Sequence, residues 1–393
     1  MIPSYYEFRN SVKIISGSKA LENIPFELKN LEAKKPMILT NDILVKFGQV
    51  KIVTDAFKES DIIIGSIFTD IPPDSSVKVV NKVAKIYKET GCDAIIAIGG
   101  GSVIDTAKGA NIVISKNTDD LMKYMGSEII TGKLQPFIAI PSTAGTGSEA
   151  TLVAVIANQE KNVKMEFVSY NLLPDVAVLD PRMTVSLPAR LTASTGIDAL
   201  VHAIEAYTCL QKNPLSDAYS FAAINLIREY LQKVVENGKD QDGRLAMANA
   251  SLMAGVAFSN SMVGVVHAIG HACGGVCHVP HGDAMTILLP HGMEFNMDKI
   301  ADGYAELLLP LAGAEIFAST PKNKRAVKSV EVVRNMINKL NKTCGLPTRL
   351  RDVGVKKEDF SRIAKTAIND GAAIVNPKEV KYEDVLMILE KAF

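Results

Sequence analysis

This 393-residue chain is as informative for what it lacks as for what it contains. It has no excess of either charge. Lys plus Arg and Asp plus Glu are 43 each, so no net field draws it to nucleic acid or an anionic membrane. No apolar run reaches the ~18 residues of a membrane-spanning helix. The start, Met1-Ile2-Pro3-Ser4-Tyr5-Tyr6-Glu7, lacks a basic segment followed by an apolar stretch and does not read as a signal peptide. Both absences point to the cytoplasm. The cysteines (Cys92, Cys209, Cys273, Cys277 and Cys344) are odd in number and widely spread, which fits reduced thiols rather than a disulfide frame. There is no low-complexity linker, no internal repeat, no P-loop and no Gly-x-Gly-x-x-Gly fingerprint.

The composition is that of a globular protein, 47% apolar and 22% charged, and the length suggests two domains. In the first half, short apolar runs alternate with helical periodicity. Strands are expected at Pro36–Thr40, Ile62–Ile64, Ala94–Ile98 and Phe137–Ile140. Such continuous apolar strands imply a parallel sheet covered on both faces, a Rossmann-like α/β domain. A helix begins after Asp74, Ser75 or Ser76, buries Val79, Val80, Val83 and Ala84, and stops at Gly91. Residues 152–156 and 165–169 read as a hairpin. We place the boundary near residue 185, after Asp180-Pro181. Beyond Pro188 a 3.6-residue period dominates, with helices expected at 192–209, 215–236, 241–258, 261–275, 298–312, 323–342, 357–368 and 382–391. The domains are thus 1–185, α/β, and 186–393, all-helical.

Two loops in the first half suit a phosphate ligand. Ala94–Ile98 runs into Gly99-Gly100-Gly101-Ser102-Val103-Ile104-Asp105, a glycine turn between strand and helix. There backbone N–H groups can approach a phosphate, and the helix start adds about half a positive charge. Pro141-Ser142-Thr143-Ala144-Gly145-Thr146-Gly147-Ser148-Glu149 follows a second buried strand. Ligands of open α/β sheets bind at such strand ends.

The histidines are sparse and clustered. All six, His202, His267, His271, His278, His281 and His291, fall within one quarter of the chain. Neutral imidazole is the commonest metal ligand. Asp198 and His202 stand at i, i+4, as do His267 and His271, so each pair shares a helix face. Two cages are open on this reading. One is a soft zinc set of Cys273, Cys277, His278 and His281, weakened by the Cys-x-x-x-Cys spacing and the intervening Gly274-Gly275. The other is Asp198, His202, His267 and His281, one carboxylate and three imidazoles, suited to Fe(II) or Zn(II).

Taken together, Gly99-Gly100-Gly101-Ser102-x-x-Asp105-x-x-Lys108, Pro141–Glu149, Gly196-Ile197-Asp198-Ala199-x-x-His202-x-x-Glu205-Ala206, His267-x-x-x-His271 and Pro280-His281-Gly282 resemble the iron-containing, group III alcohol dehydrogenases of the dehydroquinate synthase-like superfamily. The resemblance runs over essentially the whole chain. It implies metal ligation by Asp198, His202, His267 and His281, with Fe(II) usual and Zn(II) the alternative. It implies pyrophosphate contact by Gly100, Gly101 and Ser102, and cofactor contacts from Thr143, Thr146 and Lys164, to which we add Gly99 and Leu179. His271 matches a histidine near the nicotinamide and Phe258 an aromatic at the substrate cleft. With Asp105 they form the catalytic candidates. Many members carry Thr-Asp after the first cofactor strand, and Thr40-Asn41 stands here. A neutral amide does not repel a 2′-phosphate, so NAD is the default and NADP the alternative.

The implied activity is hydride transfer between a nicotinamide cofactor and a small primary alcohol or diol of the butanol, propanediol or lactaldehyde type. The resemblance also suggests a homodimer or larger homo-oligomer. Competing classes are a glycerol or polyol dehydrogenase, a dehydroquinate synthase-like lyase and a non-catalytic NAD or metal sensor. The lyase needs basic residues for a phosphorylated substrate, whereas the segment around the ligand candidates is apolar (Ala199, Val201, Val263, Val265, Val266).

Overall fold

A computed structural model describes residues 3–73, 75–159 and 163–393, with the side chains of Val163 and Lys164 outside the description. The chain divides into two compact units, Arg9–Ser186 and Leu187–Phe393 joined by the first eight residues.

The first unit is α/β. Strands β1 (Lys13–Ser16), β2 (Pro36–Leu39), β3 (Ser66–Phe68), β4 (Ala94–Gly99), β6 (Phe137–Pro141) and β9 (Val176–Leu179) form a six-stranded sheet in the order β1-β9-β6-β4-β2-β3. Every pairing in it is parallel. The apolar runs follow from burial on both faces. Met37, Leu39, Ile95, Ala97 and Ala139 pack on one side, against Val80, Val83 and Ile104. Ile38, Ile96, Ile98, Ile138 and Ile140 alternate onto the other, against Leu21, Ile24 and Val53. The covering helices are α1 (Ile24–Asn30), α2 (Asp42–Lys46), α3 (Gln49–Asp55), α4 (Val77–Thr90) and α5 (Gly101–Ser115). Ser76 caps α4 and Gly91 ends it with φ 62°, while Asp74 lies outside the described residues. A second sheet joins the antiparallel pair β7 (Val153–Asn158) and β8 (Val163–Val168) to the short β5 (Gly126–Ser127).

From β2 the chain steps outward to β3, then returns to the other side of β2 as β4 and continues to β6 and β9. The winding direction therefore reverses between β2 and β4, and a crevice opens at their C-terminal ends. Asn41 and the Gly99–Gly101 turn both stand there.

One expected strand moves. Ile62–Ile64 does not pair as a strand, and β3 begins four residues later. Ile63 is 70% exposed, so this rim segment lacks the two-sided burial that its apolar run suggested. β1 and β9 are additions to the expected strands.

The second unit is helical: α6 (Ala189–Thr208), α7 (Pro214–Glu236), α8 (Gln241–Ser259), α9 (Val265–Cys277), α10 (His281–Ala312), α11 (Ala314–Ser319), α12 (Arg325–Cys344), α13 (Phe360–Ala367), α14 (Gly371–Ile374) and α15 (Tyr382–Ala392). Two expectations are corrected. The segment 261–264 is a turn, with Met262 at φ 76°, so α9 starts at Val265. The helix expected at 298–312 is the second part of α10, which runs through Pro290 and Pro310 and bends at Ile300 (φ −130°, ψ 28°). Among the described residues no helix is long and apolar enough to cross a membrane.

A buried lysine ties α5 to the second loop. Lys108 Nζ donates to Thr151 O (2.8 Å), Val153 O (2.7 Å), Thr151 Oγ1 (3.1 Å) and Ser148 Oγ (3.2 Å). Burial pushes its ammonium down to about 8. Lys108→Met leaves those carbonyls without this donor, at about 1–3 kcal/mol for each buried acceptor left unsatisfied. We expect a lower urea midpoint of unfolding, and an unchanged midpoint would refute the clasp.

Candidate metal centre and dinucleotide loops

In the first unit, Gly100 precedes α5 without a side-chain cap, so the first N–H groups of the helix have no capping acceptor from it. A Cβ on Gly100 would lie 3.2 Å from Thr143 Oγ1, and one on Gly101 would lie 3.0 Å from Thr146 Cγ2. The two loops thus touch, and glycine is what lets them. Ser142 N donates to Gly99 O at 3.0 Å, closing the strand ends together. The structure brings Gly99, Gly100, Gly101, Thr143 and Thr146 into one cradle.

Other calls fare differently. The Ser102 hydroxyl is bonded to Pro73 O, which leaves its backbone at the helix start as the group for a ligand. Asn41 Oδ1 caps α2, accepting from Leu44 N at 3.1 Å. Lys164 lies on β8, its side chain outside the described residues. Leu179 is wholly buried at the end of β9, opposite Ser16, and offers no surface to a cofactor, contrary to the contact expected of it. Asp105 has both oxygens engaged inside this unit. Oδ1 accepts from Ser148 Oγ (2.7 Å) and Oδ2 from Val155 N (3.0 Å). It fastens α5 to the loop and hairpin, a positioning role rather than the catalytic one expected.

In the second unit, α6 presents Asp198, His202 and Glu205 at i, i+4 and i+7, on one face of a helix that is almost entirely buried. His267 comes from the first turn of α9 and His281 from the first residue of α10. Asp198 Oδ1 is 3.2 Å from His281 Nε2, 3.9 Å from His267 Nε2 and 3.9 Å from His202 Nδ1. Ligand atoms of Asp198, His267 and His281 all lie within 4.8 Å of one another. His202 stands beside them, its ring 4.4 Å from that of His267 and stacked at 4.4 Å on Phe258.

The electrostatics suit a cation. Asp198, His202 and His267 are at most 5% exposed. Burial pushes the His202 imidazole down to about 3 and that of His267 well below its usual range, so both rings are neutral near pH 7. Asp198 Oδ1, His202 Nδ1 and His267 Nε2 are buried without a hydrogen-bond partner. Buried polar atoms seldom go unsatisfied, and those of Asp198 and His267, which group with His281 within 4.8 Å, fit a bound cation, with His202 at the edge of the group. One carboxylate oxygen with imidazole nitrogens is a donor set for Fe(II) or Zn(II). The His281 side chain is 40% exposed, so the cluster is reachable from one side.

The sulfur alternative is not assembled. Cys273 is fully buried, His278 is the exposed left-handed cap of α9, and among the described residues no metal-competent group includes a cysteine. His271 Nδ1 is 2.9 Å from Asp370 Oδ2, and its ring stacks on His281 at 5.4 Å. Asp370 was missed because nothing around it in sequence marks it. Glu205 sat in a quoted motif without a role. It accepts from Gly264 N (2.9 Å) and Val266 N (2.7 Å) and pairs with His267 Nδ1 at 2.6 Å.

Gly282 sets the approach of His281. A Cβ there would lie 2.9 Å from Ser194 O, a backbone atom of α6 that cannot swing aside. Gly282→Ala must push the start of α10 away from Asp198. We expect weaker metal retention with the far-ultraviolet circular dichroism kept; retention equal to the parent would contradict this.

Residues 11–181 match the family model described as iron-containing alcohol dehydrogenase, and residues 192–393 match its C-terminal counterpart. The NAD-dependent methanol dehydrogenase of Bacillus methanolicus is 36% identical over 96% of this chain and 97% of its own. The 1,3-propanediol dehydrogenase of Klebsiella pneumoniae is 35% identical over 96% of each. A crystal structure of 1,3-propanediol oxidoreductase superposes with a TM-score of 0.93 at 34% identity, over 99% of this chain and 100% of that one. Matches of this extent, falling on both units, establish that the chain belongs to the iron-containing alcohol dehydrogenase family.

Proposed function

We propose that this protein interconverts a small primary alcohol or diol and its aldehyde, of the butanol, propanediol or lactaldehyde type. Its alcohol dehydrogenase class and its iron and NAD dependence follow from the family and the full-length relatives. The observation that carries the site is the grouping of Asp198, His267 and His281 within 4.8 Å, with the facing atoms of Asp198 and His267 buried and unpartnered.

Asp198, His202, His267 and His281 would hold the ion, which supplies Lewis acidity toward the substrate oxygen. The Gly99–Gly101 and Thr143–Thr146 loops would hold the cofactor pyrophosphate at the start of α5. Asn41 stands at the reversal between β2 and β4, where a carboxylate would repel a 2′-phosphate and an amide does not. Phe258 would fix the His202 ring by stacking and present an apolar edge to the substrate. His271, oriented by Asp370, would hold or pass a proton between substrate and solvent. The stretch Val263–Val266 before His267 carries no basic side chain for a phosphorylated substrate, which favours a neutral one. The five free cysteines support a reducing, cytoplasmic setting. We extend the proposal to a homodimer or larger homo-oligomer, as the family resemblance suggests.

The test follows NADH absorbance at 340 nm with butanal, lactaldehyde and 3-hydroxypropanal, on protein purified without air and analysed for metal. His267→Ala should lose bound metal and turnover together. A metal-free His267→Ala protein with the parent's kcat would exclude this scheme. Asn41→Asp should lower kcat/KM for NADPH at least tenfold more than for NADH, and equal losses would remove Asn41 from cofactor selection.

A further inference from the structure

Glu205 has no part in the function proposed above, yet it is among the most heavily engaged carboxylates in the molecule. It is 5% exposed on the last turns of α6. Oε1 accepts from Val266 N at 2.7 Å, and Oε2 from Gly264 N at 2.9 Å and His267 N at 3.4 Å. The fourth partner is His267 Nδ1, at 2.6 Å from Oε2. Three backbone N–H donors favour the ionised carboxylate, whose oxygens can only accept, so the imidazole presents its N–H to Oε2. The proton therefore sits on Nδ1, and the lone pair on Nε2. That Nε2 is one of the orphaned atoms beside Asp198.

We infer that Glu205 is a positioning residue for the metal: it fixes the tautomer and ring angle of His267 so that Nε2 is offered to the ion. The inference rests on the ligand set proposed above. A histidine ligand whose second ring nitrogen donates to a carboxylate is held in orientation and made a stronger donor.

A simpler role must be separated from this one. Gly264, which precedes α9, has no side chain to cap the helix, and Glu205 shares that duty with Asn376. Asn376 Oδ1 accepts from Val265 N at 3.1 Å, and Asn296 braces Asn376 through two amide hydrogen bonds of 2.9 and 2.8 Å. A carboxylate is favourable at any helix start. Asn376 touches the same turn without touching a ligand ring, so it serves as the control.

The experiment measures zinc affinity of the full-length protein by chelator competition, with thermal midpoints, for Glu205→Gln, Asn376→Ala and His267→Ala. We expect Glu205→Gln to weaken zinc binding about 10–100-fold, and Asn376→Ala to lower the thermal midpoint while holding zinc as the parent does. If Glu205→Gln binds zinc like the parent while His267→Ala does not, the inference fails and the ligand set stands. Equal weakening by Glu205→Gln and Asn376→Ala, with equal thermal loss, reduces Glu205 to a helix cap. Parent-like zinc binding by His267→Ala overturns the ligand set itself. Should Glu205→Gln not fold, nitrogen-15 shifts of the histidine rings in the zinc-loaded parent still decide. A proton on Nδ1 of His267 supports the inference, and one on Nε2 refutes it.

Discussion

A carboxylate and three imidazoles gathered in the helical unit, most of them out of contact with water, are the constraint that organises this molecule. Burying Asp198 costs several kcal/mol unless a partner of opposite charge is supplied. The partners within the protein are imidazoles, and burial keeps His202 and His267 neutral. A divalent cation would answer both the buried charge and the unpartnered atoms. Three helices that are distant in sequence are held at the distances this requires, α6 through its buried face, α9 through its capped start and α10 through the glycine at its second residue.

Both units use short polar tethers to fix loops whose backbone must stay open to a ligand. In the α/β unit, Lys108 and Asp105 bind the Ser148–Val155 segment from the inner side of α5, while the outer, glycine-lined side of the same turn keeps its amides. In the helical unit, Glu205 and Asn376 close the start of α9, and Glu205 alone reaches the His267 ring. At α9 a carboxylate and an amide side chain replace a cap that Gly264 cannot provide. Glycine allows close approach, and the tether restores the order that glycine gives up.

Local patterns that repeat with the period of a single element were legible beforehand. The apolar strands β2, β4 and β6, the i, i+4 pairs Asp198/His202 and His267/His271, and the glycine turn before α5 all lie within a dozen residues or fewer. What failed to show was short, interrupted or distant. Strand β1 is mostly exposed, Ile62–Ile64 carries a strand-like composition at a rim, and α10 continues through two prolines. Asp370 is 99 residues from the His271 it orients, and Asn376 is 111 from the amide it accepts.

The sequence by itself determined the chemistry on offer: which helix faces carry imidazole and carboxylate, which loops can approach a phosphate, and which strands must be buried. Hydrophobic periodicity and residue type are local properties, so they survive without coordinates. Only the tertiary structure decided which of those groups meet. It tied Asp105 to Ser148 and Val155, buried Leu179, and set Glu205 against His267 and Asp370 against His271. Those pairings depend on how helices pack, and side-chain contact across a core leaves no periodic trace in the chain that makes it.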